Sequence, residues 1–294
     1  MQGYQRTQVR SVQWVRAASG LALLAAALVA SPAAAQVGLE SARQLYNQGR
    51  YSEAIELAAR LRGRPGNADA ARLIIGRAQL ERYRQTADRA DLLAAREALR
   101  EVRASNLPTR EQAEYLVGLG QSVYLEELYG AAADLFESAM EIAHLDSPRA
   151  FDRVFDWWAT ALDRQAQSGM ADDRDALYER IQELAHRALM RDPGSGPAAY
   201  WLVVAYRSLA DPGRAWEAAI AGWLRAPMVH DDGEALRADL DRLVLQAVIP
   251  ERVRQIADTD TDRERAASQL RELWEAIKAD WSPGAERKSV EGKM

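Results

Sequence analysis

Residues 115–142 read YLVGLGQSVYLEELYGAAADLFESAMEI. Their apolar positions recur at helical spacing on both sides of a short break, so the stretch predicts two amphipathic helices joined by a tight turn near Tyr129-Gly130. Small residues stand where two helices touch: Gly118 and Gly120 on the first, Ala132 and Ala139 on the second. Leu116, Leu119, Val123, Leu128, Leu135 and Phe136 are the candidate filling between them. Neither helix can bury its apolar stripe alone, so the pair requires neighbours.

Leu119-Gly120 followed by Ala132, Phe136 and Ala139 resembles the tetratricopeptide repeat, a helix–turn–helix unit of about 34 residues. The resemblance implies that the glycine lets the second helix approach the first, that the alanines mark the close crossing and that the aromatic fills the gap beside them. Related spacing recurs along the chain. A first unit covers residues 39–61, with Gly49-Arg50-Tyr51 and Ala54 at its turn and Pro65-Gly66 closing it. A second begins near Ala68; Leu73, Gly76 and Leu80 form one face, and Leu92, Ala95, Leu99 and Val102 the other. A long turn is expected at 84–90. Thr109 with Gln112 reads as a capping box for the third unit, the stretch quoted first.

Ser147-Pro148 opens the fourth unit, serine as cap and proline in the first turn. Its two helices are expected on either side of a long turn at 165–174. The fifth pairs 198–209 with 215–224 across Asp211-Pro212-Gly213, and Pro227 closes it. Beyond it, Asp232 reads as the cap of a helix over 234–249 that Pro250 stops. A short helix over 251–257 and a long one over 262–281 follow, the latter capped by Thr261 with Glu264 and striped by Leu270, Trp274, Ile277 and Trp281. These form a candidate cap for the open end of a repeat stack. The expected fold is all-α, a right-handed solenoid of about five helix pairs over 36–227, a helical cap over 228–281, and a disordered tail over 282–294.

The N-terminus carries Arg6, Arg10 and Arg16 without an acid, then an apolar run over 17–30, then Ser31-Pro32 and three alanines. That order predicts a secretory signal over 1–35, cleaved after Ala35. The run is short for a membrane span, though an uncleaved anchor is the competing reading. No twin-arginine pair is present, which favours the general export route into a periplasm or out of the cell. The chain has no cysteine, which excludes disulfides, thiolate chemistry and lipid attachment at a mature N-terminal cysteine. A net charge of −5 argues against a nucleic-acid partner.

No constellation of catalytic residues is legible. His144, His186 and His230 lie in different units without a second histidine at helical spacing. Asp258, Asp260 and Asp262 open like a calcium loop, but Arg263 and Gln269 stand where the EF-hand needs glycine and glutamate. Gly118-Leu119-Gly120 lacks both a preceding strand and a third glycine, and no Gly-Lys pair forms a P-loop. No cofactor and no metal are implied. The late tryptophans, Trp157, Trp158, Trp201, Trp216, Trp223, Trp274 and Trp281, read either as inter-helix filling or as a ligand-binding patch.

In the tetratricopeptide family the first helix of each unit lines the concave face. The resemblance therefore places Arg43, Tyr46, Arg77, Gln121, Tyr124 and Tyr206 in a groove, although each also reads as an ordinary helix-surface residue. Arginine and tyrosine beside apolar neighbours suit an extended peptide or an acidic segment. The expected function is a non-catalytic scaffold in the cell envelope that binds a protein or peptide. A subunit of an envelope-assembly complex and a glycan or small-ligand binder are the alternatives.

Overall fold

A computed structural model describes residues 32–64, 66–169 and 171–281, with the side chains of 32–36, 144–146, 171 and 172 left out. The expected export signal lies outside the described residues except for 32–35, which open the first helix. The tail over 282–294 and the side chain of His144 lie outside them too.

Every regular element among the described residues is helical. Helices α1 (Pro32–Asn47) and α2 (Tyr51–Leu61) form the first hairpin, α3 (Ala68–Thr86) and α4 (Arg89–Arg100) the second, α5 (Thr109–Tyr124) and α6 (Tyr129–Asp146) the third. Helices α7 (Pro148–Ser168) and α8 (Ala171–Arg191) form the fourth, α9 (Gly196–Ser208) and α10 (Pro212–Arg225) the fifth. Helices α11 (Glu234–Leu243), α12 (Ile249–Ile256) and α13 (Asp260–Asp280) are the last among the described residues. Consecutive helices pack on one another from α1 to α11, α12 packs on α13, and several odd-numbered helices also touch: α1 on α3, α3 on α5, α7 on α9, α9 on α11.

The turns are tighter than the sequence suggests. In the first, third and fifth hairpins the same hydrogen bonds close the first helix: Arg50 N to Leu45 O, Leu128 N to Val123 O, and Asp211 N to Tyr206 O. Inside each lies a second bond, from Gly49 to Tyr46, Glu127 to Tyr124 and Ala210 to Arg207. This is the Schellman closure, and it needs a left-handed residue. Gly49 (φ 74°), Glu127 (φ 63°) and Ala210 (φ 57°) supply it. The third turn therefore ends before Tyr129, and Gly130 is helical rather than part of the turn. Leu128, expected as filling, is 54% exposed because it sits at that corner. The long turns expected at 84–90 and 165–174 are largely helix, since α3 runs to Thr86 and α8 starts at Ala171. Ala87 (φ 56°) ends α3, and the Asp88 side chain accepts from Ala90 N at 2.9 Å to start α4.

Caps divide in the same way. Ser147 accepts from Ala150 N, with Pro148 at the first helical position, as expected. Thr109 is already helical and makes no cap; Gln112 instead donates to Leu107 O at 2.9 Å. Gly233 (φ 72°) rather than Asp232 precedes α11, and Asp231 accepts from its N–H. Thr259, not Thr261, caps α13 by accepting from Asp262 N. Pro250 does not end its helix. A π turn over Val244–Val248 carries the chain into α12. The wider turn loosens the ladder where proline cannot donate and its ring meets the carbonyl four residues earlier.

The core falls into two apolar clusters. One spans Leu39 to Leu107 and belongs to α1–α4; the other spans Ala132 to Trp274. Helix α5 lies between them. Tyr115, Leu119 and Leu125 pack on the first cluster; Leu116, Val117, Val123 and Tyr124 pack on the second. Phe136, Phe155, Trp158 and Trp274 are fully buried in the second, each worth about 1.5–3 kcal/mol in removed apolar surface. Of the late tryptophans Trp201, Trp216 and Trp223 are buried too, Trp157 is half-buried, and Trp281 is 62% exposed. Trp281 thus falls outside the stripe expected on α13, beyond that helix's last residue. Trp274 holds α13 in place: its ring centroid lies 5.4 Å from that of Trp223 and its Nε1 donates to Asp241 at 2.8 Å.

Candidate functional site

The first helices of the hairpins carry all the expected groove residues, and side-chain contacts link most of them. Arg43 on α1 forms an ion pair with Glu111 on α5. Arg77 on α3 donates to Glu114 Oε2 at 2.6 Å, and its guanidinium stands 4.7 Å from the Tyr46 ring centroid. Three helices from three hairpins thus meet through side chains on one side. Burial works against the Arg77 charge, but Tyr46, Glu114 and Glu81 hold its pKa above the usual arginine value. Burial pushes the Tyr46 phenol up against the pull of Arg77, and it pushes the Glu111 carboxyl up despite Arg43.

Tyr46 and Tyr124 hold the same place in their hairpins. Each accepts the inner bond of the Schellman turn through its carbonyl, and each packs on the tyrosine that starts the next helix. Tyr46 lies 5.6 Å from Tyr51 and Tyr124 lies 5.2 Å from Tyr129, centroid to centroid. Tyr124 also meets Trp157 edge-on at 5.5 Å, and the Arg84 guanidinium lies 5.1 Å from the Trp157 centroid. Gln121 is buried rather than presented, and its Oε1 has no partner.

Tyr206 leaves this group. In the fifth hairpin the position matching Tyr46 and Tyr124 is Arg207, which donates through Nε to Glu251 at 2.8 Å. Tyr206 is one residue earlier, about 100° around the helix. It is buried against the second helices of the hairpins, its hydroxyl 2.7 Å from His186 Nε2 and its ring under Arg214.

The later odd-numbered helices add carboxylates to the arginine of α9. Asp152 on α7 accepts from the Ser195 hydroxyl at 2.6 Å, and Asp156 accepts from Trp201 Nε1 at 2.8 Å. Burial raises both carboxyls; Asp192 repels Asp152, and Asp239 on α11 repels Asp156. Burial also raises the Tyr200 phenol, with Asp239, Asp163 and Asp156 adding to the effect. Asp156 is nevertheless exposed. Sequence reading missed this acidic stripe. The available signal was the spacing Asp152, Asp156, Asp163, which puts three acids on one stripe of α7.

Among the described residues no cluster of three or more His, Asp or Glu side chains is arranged to hold a metal ion, and no helix is long and apolar enough to cross a membrane. No protein-family model matches the chain, and no curated protein matches it either.

Proposed function

We propose that the chain is an exported, non-catalytic scaffold. In this reading its five hairpins are tetratricopeptide-like units stacked as an α-solenoid, α11–α13 are the end cap, and the odd-numbered helices form the inner face that grips an extended segment of another protein. The recurring Schellman closure of three hairpins and the matched places of Tyr46 and Tyr124 support the repeat reading. The tripartite N-terminus supports export to a periplasm or beyond.

The observation that carries the binding proposal is the stripe of Asp152, Asp156 and Asp163 on α7, joined to the next hairpin through Ser195 and Trp201, with Tyr200 and Asp239 close by. Burial and neighbouring carboxylates raise the cost of charging Asp152 and Asp156, and an opposite charge from a partner relieves it. The partner segment is therefore one that brings lysine or arginine to α7, α9 and α11. Photocrosslinking tests it. A photoreactive residue replacing Tyr200 should capture a basic protein in the envelope fraction, and capture should weaken with added salt. The same residue at Glu183, exposed on α8, should not capture it. Equal capture at both positions, or none at Tyr200, rejects the inner face as the binding surface. N-terminal sequencing of the exported protein should begin at Gln36.

A further inference from the structure

A cleft of about 480 Å³ opens on the other side of the chain, between α8 and α10 with α9 as its floor. That size falls within the range of small-ligand sites, roughly 300–1,000 Å³. His186 and Tyr206 lie in it and satisfy each other's hydrogen bond. Arg214 is engaged by Asp211 at 3.5 Å. Arg225 is different. It lines the cleft, its Nε is buried without a partner, and it has no ion pair among the described residues. Burial alone pulls its pKa below the usual arginine value. A half-buried guanidinium with one N–H shut off from water and unpaired is held at a cost that an anion in the cleft relieves.

The balance of charge indicates which anion fits. Arg214 already pairs with Asp211, which leaves Arg225 as the cleft's cation without an ion pair among the described residues, beside the exposed carboxylate of Glu217. That suits a monoanion rather than a phosphate dianion. The rest of the wall is apolar: Leu189 and Leu202 line it, and Met190, 87% exposed, stands at the rim. We propose that this cleft binds a small amphiphilic carboxylate, whose acid group accepts hydrogen bonds from Arg225 while its hydrocarbon body lies on Leu189, Leu202 and Met190. This site is separate from the proposed inner face and stands or falls without it.

Octanoate and its neutral analogue octanamide are the probes, titrated into the purified protein by calorimetry. Octanoate is expected to bind with a dissociation constant below about 1 mM, with octanamide about tenfold weaker. Arg225→Met should lower octanoate affinity by about tenfold and leave octanamide binding unchanged. Glu217→Gln removes the opposing charge on an exposed side chain and should strengthen octanoate binding severalfold, which keeps the test available should the arginine variant misfold. Octanamide binding as tightly as octanoate, or octanoate failing to bind, overturns the proposal.

Discussion

Gly120 shows how one missing carbon sets a helix crossing. A Cβ there would lie 2.6 Å from the Phe136 ring, and Phe136 is fully buried with no room to retreat. At Gly118 a Cβ would meet Leu99 Cδ2 at 3.2 Å, which a shift of a few tenths of an ångström relieves. Alanine gains about 1 kcal/mol of helix propensity over glycine at either site. Gly118→Ala should therefore be near neutral or stabilising, while Gly120→Ala should cost about 1–3 kcal/mol as overpacking outweighs propensity. Urea unfolding of the two variants separates them, and equal effects would disprove the crossing as described. These glycines were legible because glycine weakens a helix, so its presence inside an apolar stripe points to a close approach of the neighbouring helix. The caps at Thr109, Asp232 and Thr261 were not, because several neighbouring side chains can serve a helix start and local geometry selects among them. Tyr178 offers a second test at this scale. Its hydroxyl donates to Asp163 at 2.7 Å, and burial first, then that bond, raises its pKa to about 12. The folded protein thus holds the proton longer than the unfolded chain, whose phenol titrates near the ordinary value of 10.0. The stability Tyr178 adds is complete below pH 10 and is lost as pH rises toward about 12. Relative to wild type, Tyr178→Phe should be less stable by about 1 kcal/mol at pH 8. That deficit should shrink through the alkaline window in paired melts; a constant difference contradicts the assignment.

The hairpin turns are where the elements were least legible, and the reason is specific. Three of them share one hydrogen-bonding pattern with one left-handed residue, but only the first uses a glycine for it. Glu127 and Ala210 adopt the same conformation with a Cβ present, at positive φ. Nothing in either side chain announces a turn, so Gly130, Asp211 and Pro212 look like the turn residues instead. The second hairpin uses Ala87 in a different closure, which is why the helix beyond Arg84 resembles loop in the sequence. Left-handed geometry costs an L-residue roughly 1–2 kcal/mol, and glycine removes most of that while adding entropy to the unfolded chain. Glu127→Gly and Ala210→Gly should each stabilise the protein by about 0.5–1 kcal/mol. Glycine at a mid-helix surface site such as Glu183 should destabilise by a similar amount. Thermal melts decide, and destabilisation at both turns would mean the corners are built otherwise.

At the scale of the molecule, the division of the core at α5 has a consequence for unfolding. Periodicity gave away the helix pairs, but not where the apolar core divides, because that depends on which side of α5 each residue faces. Tyr115 and Leu119 turn to the first cluster, Leu116 and Val123 to the second. Between them α5 buries Gly118, Gly120, Gln121 and Ser122, and the Gln121 Oε1 has no partner. Small and polar side chains contribute little apolar area, so the seam is weaker than either cluster. Proteins whose units touch mainly their neighbours unfold in parts rather than all at once when an interface is weak. Leu80 is fully buried in the first cluster and Leu162 nearly so in the second. Leu80→Ala should cost about 2–5 kcal/mol. Its effect should appear as faster native-state hydrogen exchange in α1–α4, with α7–α10 unchanged; Leu162→Ala should show the converse. Uniform loss of protection from either substitution would show the two clusters to be one cooperative unit and α5 to be an ordinary part of its core.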